Sequence, residues 1–202
     1  MRARVSIEPD INHCRSKVMM KSRLYVLAAI VLAAAASRLL PHPPNFTPIA
    51  AMALFGGAYF QHRAVAFGAP LAAMLLSDLL IGFHGGMPFV YAAILLISGM
   101  GLAIRSRLNP VWIGGAALSA SLVFFVVTNF GVWLGGGLYP FTGAGLVSAF
   151  VAAIPFFGNT LAGDVMYTVL LFGGFALAER WFPVLRKELT PAGLSTARPS
   201  IG

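Results

Sequence analysis

From Leu24 almost to the C-terminal tail, apolar blocks with very few charges recur with short polar breaks between them. Each is roughly 15 to 24 residues long, close to the ~20 needed to cross a ~30 Å hydrocarbon core. Chain inside a bilayer must satisfy its own backbone, as a helix or as a closed barrel. Barrel strands would alternate apolar and polar residues, and no such alternation is visible. Charged residues make up only 10% of the 202 and hydrophobic ones 58%, whereas soluble domains carry about 25% charged residues. The expected class is therefore an all-α, polytopic membrane protein, a six-helix transmembrane bundle.

Spans are expected at about 24–40, 48–61, 64–83, 87–104, 111–134 and 159–182. The second is short and should begin inside a recessed loop shaped by proline. A further apolar piece, AGLVSAFVAAIPF at 144–156, is too short to cross comfortably and contains Pro155. It is expected to be a short extra helix at the outer surface. Residues 1–23 read as a polar, basic cytoplasmic tail, with Met19 or Met20 as an alternative start. The membrane domain covers 24–182, and 183–202 is expected to be a disordered cytoplasmic tail.

Arginine and lysine set the orientation, because cytoplasmic flanks carry the excess. In a six-span arrangement 13 of the 14 basic residues fall on one side, and Arg38 is the exception. The expectation is a protein of the bacterial cytoplasmic (inner) membrane with both termini cytoplasmic. Although the net charge is +8, no basic stripe is interleaved with aromatics, so nucleic acid is not an expected partner. The single cysteine, Cys14, lies in the N-terminal tail and excludes a disulfide framework.

Arg38 belongs to SRLLPHPPNFTP, residues 37–48, whose prolines 41, 43 and 44 remove backbone donors and forbid a continuing helix. In the six-span frame Asp78, Asn129 and Asp164 each lie about five residues from an outer helix end, roughly 7.5 Å deep. A carboxylate in a bilayer is costly and normally faces the bundle interior, a water-filled cavity or a partner. The outer connections add His42, Asn45, His84, Trp133 and Tyr139. Together these nine residues suggest an outward-facing small-molecule site, with the proline-rich stretch as a rigid rim and GVWLGGGLYPFTGAG as a mobile lid.

Each residue also has a plainer reading. Asp164 suits a first-turn acid behind an Asn159 or Thr160 cap. Asp78 suits a structural ion pair with Arg38. His42 and His84 suit loop ordering better than metal ligation, and Trp133 and Tyr139 suit an aromatic belt. Ala29 and Ala33 have small-xxx-small spacing, which serves either packing within the bundle or docking of a membrane partner.

The segments SRLLPHPPNFTPIAAMALFGGAYF, LLSDLLIGFH, TNFGVWLGGGLYP and IPFFGNTLAGDVMY resemble an uncharacterised family of small bacterial integral membrane proteins. More remotely the chain is similar to the S, or substrate-capturing, components of energy-coupling-factor vitamin transporters. The second resemblance implies a vitamin-like ligand bound from outside. It also implies an energising membrane subunit with ATPases, docked on the Ala29–Ala33 face. A corrinoid near His42 or His84 is conceivable under it, but the cysteine that goes with that chemistry has no counterpart in the membrane region. No cofactor or resident metal is implied.

No nucleotide-binding G-x-x-x-x-G-K-[ST] is present, nor H-E-x-x-H or G-x-S-x-G. The expected role is thus a substrate-binding subunit or small transporter in contact with membrane lipid, not an enzyme. The alternatives are an ion- or proton-coupled transporter using Asp78 and Asp164, an intramembrane enzyme and an assembly protein.

Overall fold

The computed structural model describes residues 11–135 and 137–186, with side chains from Met20 onward. Among these residues every regular element is helical. Helix α1 is Ile11–Ala36, so it starts inside the segment read as a tail, and a single 3-10 turn, Ser37–Leu39, closes it. Then follow α2 (Ile49–Tyr59), α3 (Arg63–Ile81), α4 (Met87–Ile104) and α5 (Pro110–Leu134). Helix α6 (Gly143–Thr168) runs through a π turn, Val169–Gly173, into α7 (Gly174–Trp181). Met20–Leu39, Arg63–Ile81, Met87–Ile104, Pro110–Leu134 and Gly143–Trp181 are long and apolar enough to cross a membrane.

Local sequence explains the helix starts. Asn109 accepts the Trp112 N–H ahead of Pro110, and Thr142 accepts the Gly145 N–H, the side-chain capping that orphan N–H groups at a helix start require.

The surface helix expected over 144–156 is not a separate element. It is the first part of a helical unit of 39 residues, Gly143–Trp181, with Pro155 inside it. A proline removes one backbone hydrogen bond, but away from water the neighbouring residues have no better partner than their own helix. At 1.5 Å per residue the unit is about 58 Å long, nearly twice the hydrocarbon thickness. It therefore crosses obliquely or projects beyond the apolar layer.

Helix α2 organises the rest. Its sequence, IAAMALFGGAY, has no polar face, and residues 49 to 58 are all buried. A helix that is apolar all round belongs inside other protein. Its eleven residues reach only about 16 Å, so it begins and ends within the protein. On one side Gly56 packs under the Pro70 ring of α3. On another, Gly57 meets the backbone of α4 at Ser98 and Gly101. Phe55 and Tyr59 pack edge-on or tilted against Phe172 and Phe175, with ring centroids 4.7 to 5.8 Å apart.

A buried helix leaves carbonyls unpaired at its C-terminus. Arg105, just past α4, supplies the donors: its guanidinium reaches the carbonyls of Gly57 (2.9 Å), Gln61 (3.0 Å) and Phe60. The cation also sits at the negative end of the helix dipole. Desolvation, with a smaller contribution from nearby Arg63, lowers the Arg105 pKa. Arg105→Gln should lower stability by roughly 1.5–3 kcal/mol, the worth of hydrogen bonds from a charged donor. Unfolding of the detergent-solubilised protein measures it.

Basic residues gather at this end. Arg23 donates to Glu179 Oε1 (2.7 Å) and to the Leu185 carbonyl, tying α1 to the end of α7. Its guanidinium lies 6.0 Å from the Tyr59 ring centroid, which places the ends of α1, α2 and α7 together. We call this the basic end.

Candidate functional site: two buried carboxylates around a half-helix

Toward the opposite pole lie two buried carboxylates with different surroundings. In the first cluster the Arg38 guanidinium, held by the turn after α1, donates to Asp78 Oδ1 at 2.7 Å and to Ser77 Oγ, and contacts Met74 Sδ at 3.0 Å. The Tyr91 hydroxyl of α4 donates to Asp78 Oδ2 at 2.9 Å. The Arg38 and Asp78 side chains are only 9% and 1% exposed. This is a desolvated ion pair that joins α1, α3 and α4, as the plainer reading of Asp78 anticipated.

In the second cluster Asp164 is 3% exposed. Its Oδ2 accepts from Ser121 Oγ of α5 at 2.7 Å. Its carboxyl group also lies beside the backbone N–H of Ala51, in the first turn of α2. Sequence suggested a first-turn acid for its own helix. That helix starts at Gly143, so the reading is corrected: Asp164 serves the N-terminus of α2, where a negative charge offsets the positive end of the dipole. The half-helix is thus bracketed by a carboxyl group from α6 and a cation from the α4–α5 connection. One turn beyond Asp164, Thr168 Oγ1 is buried without a hydrogen-bond partner.

The proline-rich stretch 37–48 bridges the clusters. Ser37 Oγ lies 2.9 Å from Tyr167 Oη, and the Phe46 ring lies 6.2 Å from that of Tyr167. Asn159 Nδ2 donates to the Pro44 carbonyl at 3.0 Å. A Cβ on Gly163 would come within 3.1 Å of Thr47 N, so the loop rests directly on α6. Asn45 adopts the left-handed region, at φ 63°, which asparagine tolerates better than most residues. The stretch is fastened to α6 from Asn159 to Tyr167.

The remaining sequence-selected residues are placed apart from these clusters. His42 and Asn45 are exposed on the loop, and His84 is exposed between α3 and α4. Asn129 Nδ2 donates to the Phe125 carbonyl of its own helix. Trp133 Nε1 donates to the Pro140 carbonyl and its ring stacks on Phe141, 4.5 Å between centroids. Tyr139 is half-buried in the same connection. Ala29 and Ala33 are exposed, whereas Leu27, Val31, Ala34 and Ala35 form the buried side of α1. Packing within this chain is therefore not their role. Among the described residues no group of three His, Cys, Asp or Glu is placed to hold a metal ion.

Sequence reasoning passed over Ser77, Tyr91, Ser121 and Tyr167. The first three are polar residues within apolar spans, the same signal that singled out the aspartates. They were missed because a hydroxyl costs far less in a membrane than a charge.

Five membrane-length helices around a buried half-helix define a helical integral membrane protein. The chain belongs to a family of unknown function, DUF6580, whose profile matches residues 19–185. None of the curated proteins and none of the solved structures matches it.

Proposed function

We propose that the protein is a membrane-embedded substrate-binding subunit or small transporter that takes up a vitamin-like micronutrient. One observation carries this reading: α2 begins at Ile49 inside the bundle, with its first turn reached by Asp164. Helices interrupted at membrane depth recur where transporters hold substrates, because their ends present unpaired backbone groups. Non-helical backbone there is tolerated where it is buried or lines a cavity. The basic end is assigned to the cytoplasm by the positive-inside rule, which puts loop 37–48 on the substrate side. The exposed Ala29–Ala33 face of α1 is free to meet an energising membrane subunit with ATPases. No catalytic step is assigned.

Native mass spectrometry of the full chain, purified in detergent from rich medium, is expected to reveal a co-purifying small molecule. Asp164→Asn should reduce its retention about tenfold, the effect of losing a 1.4 kcal/mol contribution. Wild-type protein that is empty after growth in every medium tried overturns the reading.

A second reading, ion- or proton-coupled transport, is favoured by one contrast. Asp78 has a cationic partner in Arg38, while Asp164 has none among the described residues. Coupling would then rest on Asp164 alone. Substrate uptake into vesicles that loses its pH dependence in Asp164→Asn would select this second reading over the first.

A further inference from the structure

At the basic end, α4 and α5 part to leave an open groove of about 470 Å³. Met100 and Ala103 line it from α4, and Trp112, Gly115, Ala116 and Ser119 from α5. The Ser119 hydroxyl is already bonded to the Gly115 carbonyl of its own helix, at 2.9 Å. The groove therefore offers an occupant almost nothing polar. From Trp112 to Ser119 it extends about 10 Å along the helix axis, away from the basic end and toward the middle of the bundle.

Its mouth differs from its interior. The Arg107 guanidinium lies 4.8 Å from the centroid of the Trp112 ring. The described carboxylates are Asp78, Asp164 and Glu179, and they are engaged by Arg38, by Ser121 with Ala51, and by Arg23. None is left to neutralise Arg107. Arg105, two residues earlier, is tied to carbonyls and keeps its charge. A cationic mouth at the interface over an apolar slot in the membrane suits one class of molecule, an anionic amphiphile.

We propose that this groove is a binding site for an anionic phospholipid, with one acyl chain between α4 and α5 and the phosphate at Arg107. The spacing of Gly115 and Ser119 would also admit a helix. A parallel second copy, however, would bring another basic end against Arg107 with no free carboxylate among the described residues to offset it.

The test uses the full chain with Trp133→Phe and Trp181→Phe, leaving Trp112 as the emitter. It is reconstituted in phosphatidylcholine vesicles containing the same minor fraction of brominated phosphatidylglycerol or brominated phosphatidylcholine. Trp112 quenching should show a roughly three- to fivefold preference for the brominated anionic lipid, the order expected of one basic residue near a charged surface. Arg107→Gln should abolish the preference and Arg107→Lys should keep it. Gly115→Leu should reduce quenching by both lipids, since a Cβ at Gly115 meets nothing within 4 Å and the larger side chain fills the slot. Equal quenching by the two lipids overturns the proposal, as does a preference that survives Arg107→Gln. Absence of quenching by either lipid overturns it in favour of a groove covered by protein. These outcomes are independent of what the protein transports.

Discussion

Gly57→Val is expected to abolish the folded bundle. A Cβ at Gly57 would fall well inside contact distance of the Ser98 carbonyl oxygen and 2.9 Å from Gly101 Cα. Reciprocally, a Cβ at Gly101 would overlap the Leu54 carbonyl and lie 2.9 Å from Ala58 N. The obstructing atoms are backbone on both sides, so no side chain can rotate away. The helices would have to separate, and α2 would lose the wall it is buried against. Overpacking a core usually costs about 1–3 kcal/mol, and this site lies above that range because its neighbours cannot yield. Size-exclusion chromatography and unfolding of the detergent-solubilised protein measure the loss. Gly99→Val is the control: a Cβ there meets nothing within 4 Å, so its cost should stay within about 1 kcal/mol. Equal stability of the two variants would mean that α2 and α4 are not in backbone contact.

Asp78→Ala should have the second-largest effect. It leaves the 9%-exposed Arg38 side chain without its carboxylate, and the Tyr91 hydroxyl without an acceptor. Breaking a buried pair from one side costs about 3–5 kcal/mol, because an uncompensated charge remains. The double variant Arg38→Met with Asp78→Leu should regain most of that loss, since the desolvation of both ions disappears together. Reversible unfolding of Arg38→Met, Asp78→Leu and the double variant closes the cycle. A single-variant cost below about 1 kcal/mol, typical of exposed pairs, would show that water reaches the pair.

Arg38 and Asp78 could be matched before any coordinates were known. Each is expensive in a membrane, they fall at similar depth, and their charges are opposite. Depth is readable because 1.5 Å per residue converts position in a span into distance from its end. Direction around the helix is less readable when nearly every neighbour is apolar. That is why Asn129 and Asp164 were grouped with the pair, although Asn129 bonds its own helix and Asp164 belongs to a second cluster. The helix break assumed near Pro155 failed for a related reason. Proline followed by Asn159 and Thr160 is a good boundary signal in water, but a weak one where the helix is the only source of backbone partners.

The sequence by itself determined that the chain is helical and membrane-embedded. It also placed most of the spans, gathered the basic residues at one end and marked the second span as short, beginning inside a recessed loop. These follow from composition and local period, which depend on residues close together in the chain. Only the tertiary structure decided what the costly polar groups are for. Asp164 and Arg105 come from different elements, and each closes one end of a helix more than forty residues earlier in the chain. Such a pairing leaves no trace in local pattern, because the need it meets, unpaired backbone at the ends of a buried half-helix, exists only after the other helices have surrounded it.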